Sequence, residues 1–168
     1  ELWSLVRTEV AGQGIYAIDA ERAGAVRDVR RRRSEAFFAD AAGRWDELRE
    51  ELFGPSASFG PLLGLLDSDW VMGDLGAGTG AFSEMVAPFV RRVIGIDRSA
   101  EMLAAARLRL EAADNVELRQ GDLELLPIAD GELDLAMLGL VLHYVVDPAL
   151  VLNEVHRALR PGGRVIVV

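Results

Sequence analysis

Asp74-Leu75-Gly76-Ala77-Gly78-Thr79-Gly80 is the stretch on which the reading of this chain turns. It follows the apolar Trp70-Val71-Met72 and precedes a helical pattern from Gly80 to Val90, so it joins a strand to a helix. Glycines at such a junction let the backbone turn sharply and let a ligand approach without meeting Cβ atoms. Alone this is weak evidence, because some glycine turns are only tight connections. Three features strengthen it. Asp74 stands at the C-terminal end of the strand. The glycines alternate as G-x-G-x-G, without the extra residue of the G-x-G-x-x-G dinucleotide fingerprint. A second acid, Asp97, ends the next apolar run, Val93-Ile94-Gly95-Ile96-Asp97, at the separation where a carboxylate meets a ribose.

Downstream, short apolar runs alternate with amphipathic helices. Arg92 to Ile96 predicts a second strand. Ser99 caps a predicted helix through Ala113, with Met102, Leu103, Ala106 and Leu110 facing inward. Asn115 to Arg119 predicts a short third strand, Gly121 to Glu132 a polar loop or short turn, and Leu133 to Leu138 a fourth strand. Asp147-Pro148 opens a helix that ends at Arg160-Pro161-Gly162-Gly163, and Arg164 to Val168 is a fifth strand. Strands spaced by helices imply βαβ crossovers, hence an α/β, doubly wound, mostly parallel sheet with helices on both faces. In such a sheet the ligand crevice lies beyond the strand C-termini, where strand order reverses. Asp97 then stands beside the glycine turn, where its two oxygens can accept both ribose hydroxyls and would repel a 2′-phosphate.

Residues 1–60 have a different texture, charge-rich and helical, and are expected to form an N-terminal helical extension, a linker or lid, ahead of a binding domain over 61–168. Asp19 is the expected cap of a helix from Ala20 to about Leu52, with Gly43 as a break and Gly54-Pro55 as the stop. Phe37, Phe38, Trp45, Leu48 and Leu52 recur at helical spacing and give it an apolar face.

Composition narrows the chemistry. Of 168 residues 18 are basic and 27 acidic, a net charge of −9, which argues against unaided binding to a nucleic-acid backbone. There is no cysteine, so disulfides, thiolate metal sites and a Cys nucleophile are excluded. Every basic residue is Arg, which removes Schiff-base chemistry and a Walker-type phosphate lysine. Only His143 and His156 offer imidazole, so no metal centre is expected. The longest apolar run, Leu135 to Val146, is far short of the ~18 residues that span a membrane, and no secretory leader is visible. A soluble, cytoplasmic domain is the expectation. The basic run Arg30 to Arg33, with Arg27 before it, reads as a solvated helix face.

Taken in order, Val71–Gly80, Val93–Ser99, Gly121-Asp122-Leu123, Asp134–His143 and Arg157–Gly163 resemble the class I S-adenosylmethionine-dependent methyltransferases. The resemblance covers roughly residues 62–168. Within that family it is nearest the small-molecule and quinone-biosynthesis type, through its Gly-Asp-Leu-x-x-Leu-Pro and Leu-His-Tyr-Val sequences. It implies a Rossmann-like sheet, the cofactor S-adenosylmethionine with product S-adenosylhomocysteine, and a small-molecule methyl acceptor. It also implies roles. Asp74 would sit near the methionine amino group with the Gly76 carbonyl, while Ala77, Gly78, Thr79 and Gly80 complete the turn that makes room for the methionine and ribose. Asp97 would hold the ribose hydroxyls, and Arg98 and Met102 would flank the adenine. Asp122 would accept from the adenine amine, the Leu123 backbone would pair with a ring nitrogen, and Leu138 and Gly139 would line the methionine end. The residues agree with this independently: a cationic sulfonium without phosphate wants acceptors and apolar walls, and these loops supply three aspartates and no lysine.

Methyl transfer is an in-line displacement from an activated sulfur, so alignment and exclusion of water supply most of the rate. His143 is the candidate base, its other reading being a structural cover, and His156 reads as surface or packing. Phe37, Phe38, Trp45 and Tyr16 are expected either to close over the cofactor as a lid or to form the helix's own apolar face. Leu2-Trp3 to Arg33, Phe37-Phe38 and Trp45 to Arg49 resemble the linker of proteins that fuse an ArsR-type winged-helix repressor to such a methyltransferase, so any DNA contact would belong to residues upstream. Glu1 in place of Met, and an end within the fifth strand where the family's sheet has seven, give the expectation of a truncated chain whose exposed edge is completed by further residues or by self-association. Two other functions stay open on sequence: a nicotinamide-dependent oxidoreductase, and a non-catalytic S-adenosylmethionine-sensing module of a regulator.

Overall fold

The computed structural model describes residues 14–53 and 63–168. The stretch from Leu2-Trp3 and the Gly54-Pro55 stop lie outside these residues, as do the side chains of Tyr16 and Leu52.

Helix α1, Gly14–Ala41, is followed by a turn through Gly43 and by α2, Trp45–Phe53. The break falls where the sequence expects it. The start does not: nothing in Ile15-Tyr16-Ala17-Ile18 interrupts a helix, so Asp19 lies inside α1 and caps nothing.

Five strands and three helices follow: β1 (Val71–Leu75), α3 (Ala81–Val86), β2 (Arg92–Asp97), α4 (Ala100–Arg109), β3 (Val116–Gln120), β4 (Leu133–Leu138), α5 (Pro148–Ala158) and β5 (Leu159–Val167). The strands form one sheet of order β3-β2-β1-β4-β5, with every pairing parallel. Order reverses between β1 and β4, as a doubly wound sheet requires.

Local chemistry sets the boundaries. α3 is shorter than expected because Pro88 draws Ala87–Phe89 into a 3-10 turn, whose carbonyl at Ala87 accepts from Asn115 Nδ2 at 2.8 Å. Ser99 caps α4 by accepting from the Met102 N–H, and Met102, Leu103 and Ala106 are buried as expected. This helix stops at Arg109, short of Ala113, as Leu110 leaves helical geometry with its side chain against Gly80. Asp147 caps α5, accepting from the Ala149 N–H at 2.9 Å.

The fifth strand corrects the sequence reading more substantially. Arg160 to Gly163 does not separate helix from strand. β5 begins at Leu159, which pairs with Leu133, and Arg164 already pairs with Leu135. The Pro-Gly-Gly residues form an irregularity within the strand, across which Arg160 Nε meets Asp134 Oδ1 at 2.6 Å. Asp134 Oδ2 in turn accepts from the Val71 N–H at 2.6 Å, tying β4 to the start of β1.

Two apolar clusters enclose the sheet. Leu75, Ile94, Ile96, Ala136 and Leu138 pack against Val151, Val155 and Ala158 of α5. On the opposite face Met72, Val93 and Leu135 pack with Leu63 and with Val86 of α3, and α4 lies beside α3. Among the described residues nothing pairs with the far side of β5, where Val165, Ile166 and Val167 are 44–49% exposed. No helix among the described residues is long and apolar enough to cross a membrane.

Candidate cofactor-binding site

β1 and β2 end side by side, with Asp74 opposite Gly95 and Leu75 opposite Ile96. Beyond Leu75 the chain folds back, and the N–H groups of Gly76 and Ala77 both donate to the Ile96 carbonyl at 2.8 Å. Gly76 and Gly78 have φ of +87° and +54°, left-handed values that disfavour a Cβ. At Gly76 space forbids one as well, since it would lie 2.7 Å from Val141 Cγ2. At Gly78 it would meet Trp45 Nε1 at an ordinary 3.7 Å, so there conformation alone requires glycine.

Asp97 is fixed by backbone donors. Its Oδ2 accepts from the Gly78 N–H at 2.8 Å and its Oδ1 from the Ser99 N–H at 2.9 Å. Burial pushes its pKa up, while those N–H groups and that of Arg98 oppose the rise. Each oxygen keeps further lone-pair capacity for a ligand hydroxyl. Asp74 is more deeply buried and accepts from Ser83 Oγ at 2.6 Å. Burial raises its pKa to about 6, against the Ser83 hydrogen bond and helped by the charge of Asp97. Asp122 is exposed, 3.7 Å from Arg98 Nη2, whose other partner is Glu35 of α1 at 2.8 Å.

One cavity of about 1160 Å³ brings most of the expected residues together: Asp74, Gly76, Ala77, Gly78, Thr79, Asp97, Arg98, Met102, Asp122, Leu123 and Gly139 all line it. Gly80, Leu138 and His143 do not. Gly80 faces Leu110, and Leu138 is wholly buried in the core. His143 is exposed on a 3-10 turn, Leu142–Tyr144, while its neighbour Tyr144 lines the cavity. The candidate base His143 therefore lies outside the cavity. β4 stops at Leu138, and Leu140 takes the left-handed φ of +55°, redirecting the chain before His143 is reached.

The helical extension supplies the cover. Ser34, Glu35, Phe38, Trp45 and Asp46 line the same cavity. Phe38 packs edge-on to Trp45 at 5.1 Å and to Tyr144 at 4.8 Å between ring centres. Phe37 touches both Phe38 and Trp45 but is 47% exposed and outside the lining. The sequence reading missed Tyr144, Glu35 and Asp46, and its only signal for the first was an aromatic beside the histidine it chose.

These groups suit S-adenosylmethionine. The carboxylates of Asp74, Asp97 and Asp122, a glycine turn with no room for a Cβ at Gly76, and the rings of Phe38, Trp45 and Tyr144 match a cationic nucleoside without phosphate. No lysine is available to hold a phosphate. Among the described residues no cluster of three or more His, Asp or Glu side chains could hold a metal ion.

Known proteins agree with this geometry. The methyltransferase domain family matches residues 73–167. An uncharacterised 37.1 kDa transposon protein of Streptomyces fradiae is 46% identical over 97 residues, covering 56% of this chain and 28% of that protein. Demethylmenaquinone methyltransferase of Lactococcus lactis subsp. lactis is 42% identical over 101 residues, covering 56% of this chain and 40% of that enzyme. This chain thus spans less than half the length of these two relatives. Among solved structures, an S-adenosylmethionine-dependent methyltransferase of Mesorhizobium loti superposes with a TM-score of 0.57 at 34% identity, covering 67% of this chain and 52% of that one. With its family match extending over more than half its length and its acids and glycine turn on one cavity, the chain belongs to the class I S-adenosylmethionine-dependent methyltransferases.

Proposed function

We propose that this domain transfers the methyl group of S-adenosylmethionine to a small, largely apolar acceptor by in-line displacement. The observation that carries the proposal is the convergence of Asp74, Asp97 and Asp122 with the Gly76–Gly78 turn on one cavity. The bound cofactor supplies an activated methyl carbon. The protein's own residues hold and shield it: Asp97 takes the ribose hydroxyls, Asp74 the methionine ammonium, and Asp122 with Leu123 the adenine edge. Arg98 and Met102 flank the base. Phe38, Trp45 and Tyr144 exclude water and face the positive charge, a contact worth ~0.5–2 kcal/mol for each well-placed ring.

Size and lining support the acceptor class. Pockets for one small ligand run to ~300–1,000 Å³, so about 1160 Å³ leaves room for a second molecule. The lining also includes the apolar side chains of Met72, Phe82, Met85, Leu135 and Met137. The similarity to a quinone-precursor methyltransferase points the same way. His143, exposed and outside the lining, is not needed as a base in this scheme. The division into helical lid (1–60) and methyltransferase domain (61–168) belongs to the proposal. The link to an upstream winged-helix repressor rests on the sequence of residues 2–49 alone.

Calorimetry with S-adenosylhomocysteine tests the cofactor reading. The unsubstituted protein is expected to bind it, and Asp97→Ala to bind far more weakly. Tight NAD binding with no affinity for S-adenosylhomocysteine would overturn it. Transfer of labelled methyl to neutral aromatic acceptors is then expected, and binding without transfer to any acceptor would favour the sensing module instead.

A further inference from the structure

The described cover of the cavity is fastened by a cluster centred on Arg109, a residue outside the cavity lining. Arg109, the last residue of α4, donates through Nη1 to the Thr79 carbonyl at 3.0 Å and to Thr79 Oγ1 at 2.9 Å. Its Nη2 donates to Asp46 at the start of α2, and Thr79 Oγ1 donates to the other Asp46 oxygen at 2.8 Å. Glu84 of α3 lies 3.3 Å from Arg109 Nε. One guanidinium thus joins three parts of the molecule: the glycine turn, the rigid α3–α4 layer and the first turn of the covering helix. Trp45, adjacent to Asp46, reaches over Gly78. A second tie, Glu35 to Arg98, has both side chains more than 40% exposed and holds weakly. The Asp46–Arg109 pair is less exposed, at 31% and 27%, and is reinforced by the threonine on both sides.

We infer that Arg109 is a positioning residue for cofactor retention: with Thr79 and Asp46 it latches the α1–α2 cover over the cavity, so that release of S-adenosylhomocysteine requires this cluster to open. The inference rests on the cofactor reading above. It differs from a simple charge effect. S-adenosylhomocysteine carries one ammonium and one carboxylate group, so removing an arginine charge changes its net attraction little through space, whereas opening a latch loosens binding.

Stopped-flow kinetics with S-adenosylhomocysteine distinguishes the two. Arg109→Ala is expected to speed dissociation about tenfold, with association little changed, since loss of charge-assisted hydrogen bonds acts on the bound state. Arg109→Lys is expected to restore part of the residence time. Asp46→Asn should resemble Arg109→Ala, and the double variant should be no worse than either single one, because both break one cluster. Unchanged or slower dissociation in a folded Arg109→Ala, or fully additive effects in the double variant, would overturn the latch and leave the cofactor reading intact. Absence of binding by the unsubstituted protein would instead overturn the cofactor reading and the latch with it. If Arg109→Ala does not fold, Arg109→Lys and Asp46→Asn decide by the same rates, read beside their melting temperatures.

Discussion

The two walls of the cavity are built differently. The sheet wall is made of strand ends and backbone hydrogen bonds: Asp74 is buried, Asp97 is held by two N–H donors, and Gly76 and Ala77 both bond Ile96. The helical wall is made of side chains. The outward length of α1 from Ile18 to Arg33 is exposed almost throughout, and the cover meets the domain through a few rings and ion pairs. Backbone-determined geometry tolerates little change, whereas side-chain contacts of this kind open at small cost. Under the proposed function the first wall serves recognition and the second retention.

The comparison breaks most readily at Asp97. Asp97→Ala removes the proposed ribose acceptor and frees the Gly78 and Ser99 amides, so cofactor affinity should fall at least ~100-fold, a loss of ~3 kcal/mol or more by calorimetry. Gly76→Ala attacks the same wall through packing. A Cβ 2.7 Å from Val141, on a residue with φ of +87°, should cost ~2–3 kcal/mol of stability, read as a lowered midpoint in urea.

Asp74 sharpens the comparison through pH. Its folded pKa of about 6 lies above the ordinary carboxylate value, so the folded state holds this proton more tightly than the unfolded chain. Its contribution to stability is full below pH 4 and is lost as pH rises through about 6. Asp74→Asn should therefore stabilise the protein at pH 8 by ~2–3 kcal/mol relative to its effect at pH 4, while weakening cofactor binding. Equal effects at both pH values would show that burial of this charge carries no such cost. In the unsubstituted protein, binding of a cationic ligand should strengthen as pH rises through about 6, because the ligand favours the ionised form.

The helical wall should respond more mildly. Trp45→Ala is expected to weaken S-adenosylmethionine binding ~3- to 10-fold with little change in melting temperature, in keeping with loss of one ring beside a cation. Phe37→Ala, next to the lining residue Phe38 but itself half exposed and outside the lining, should change affinity less than twofold. Equal losses at Trp45 and Phe37 would erase the distinction between lining and support.

What could be read from the chain follows the same division. Strand ends announce themselves locally: an apolar run, an acid and alternating glycines place Asp74 and Asp97 before any coordinates exist, and Ser99 and Asp147 mark their helices because capping is a short-range bond. The errors arose where tertiary contacts decided. Pairing of Leu159 with Leu133 overrode the turn signal of Pro161-Gly162-Gly163, and beyond the left-handed Leu140 it is Tyr144, not the candidate base His143, that lines the cavity. Arg109, Thr79 and Asp46 stand 30 to 63 residues apart, and no periodicity relates them.

Asp97 carries one last consequence. Both its oxygens are aimed by amides of the folded chain before any nucleoside arrives, so the entropy of ordering that carboxylate is lost during folding and not at capture. Ligand encounter on this side is a docking to preorganised acceptors, and residence is then governed by how often the aromatic roof opens.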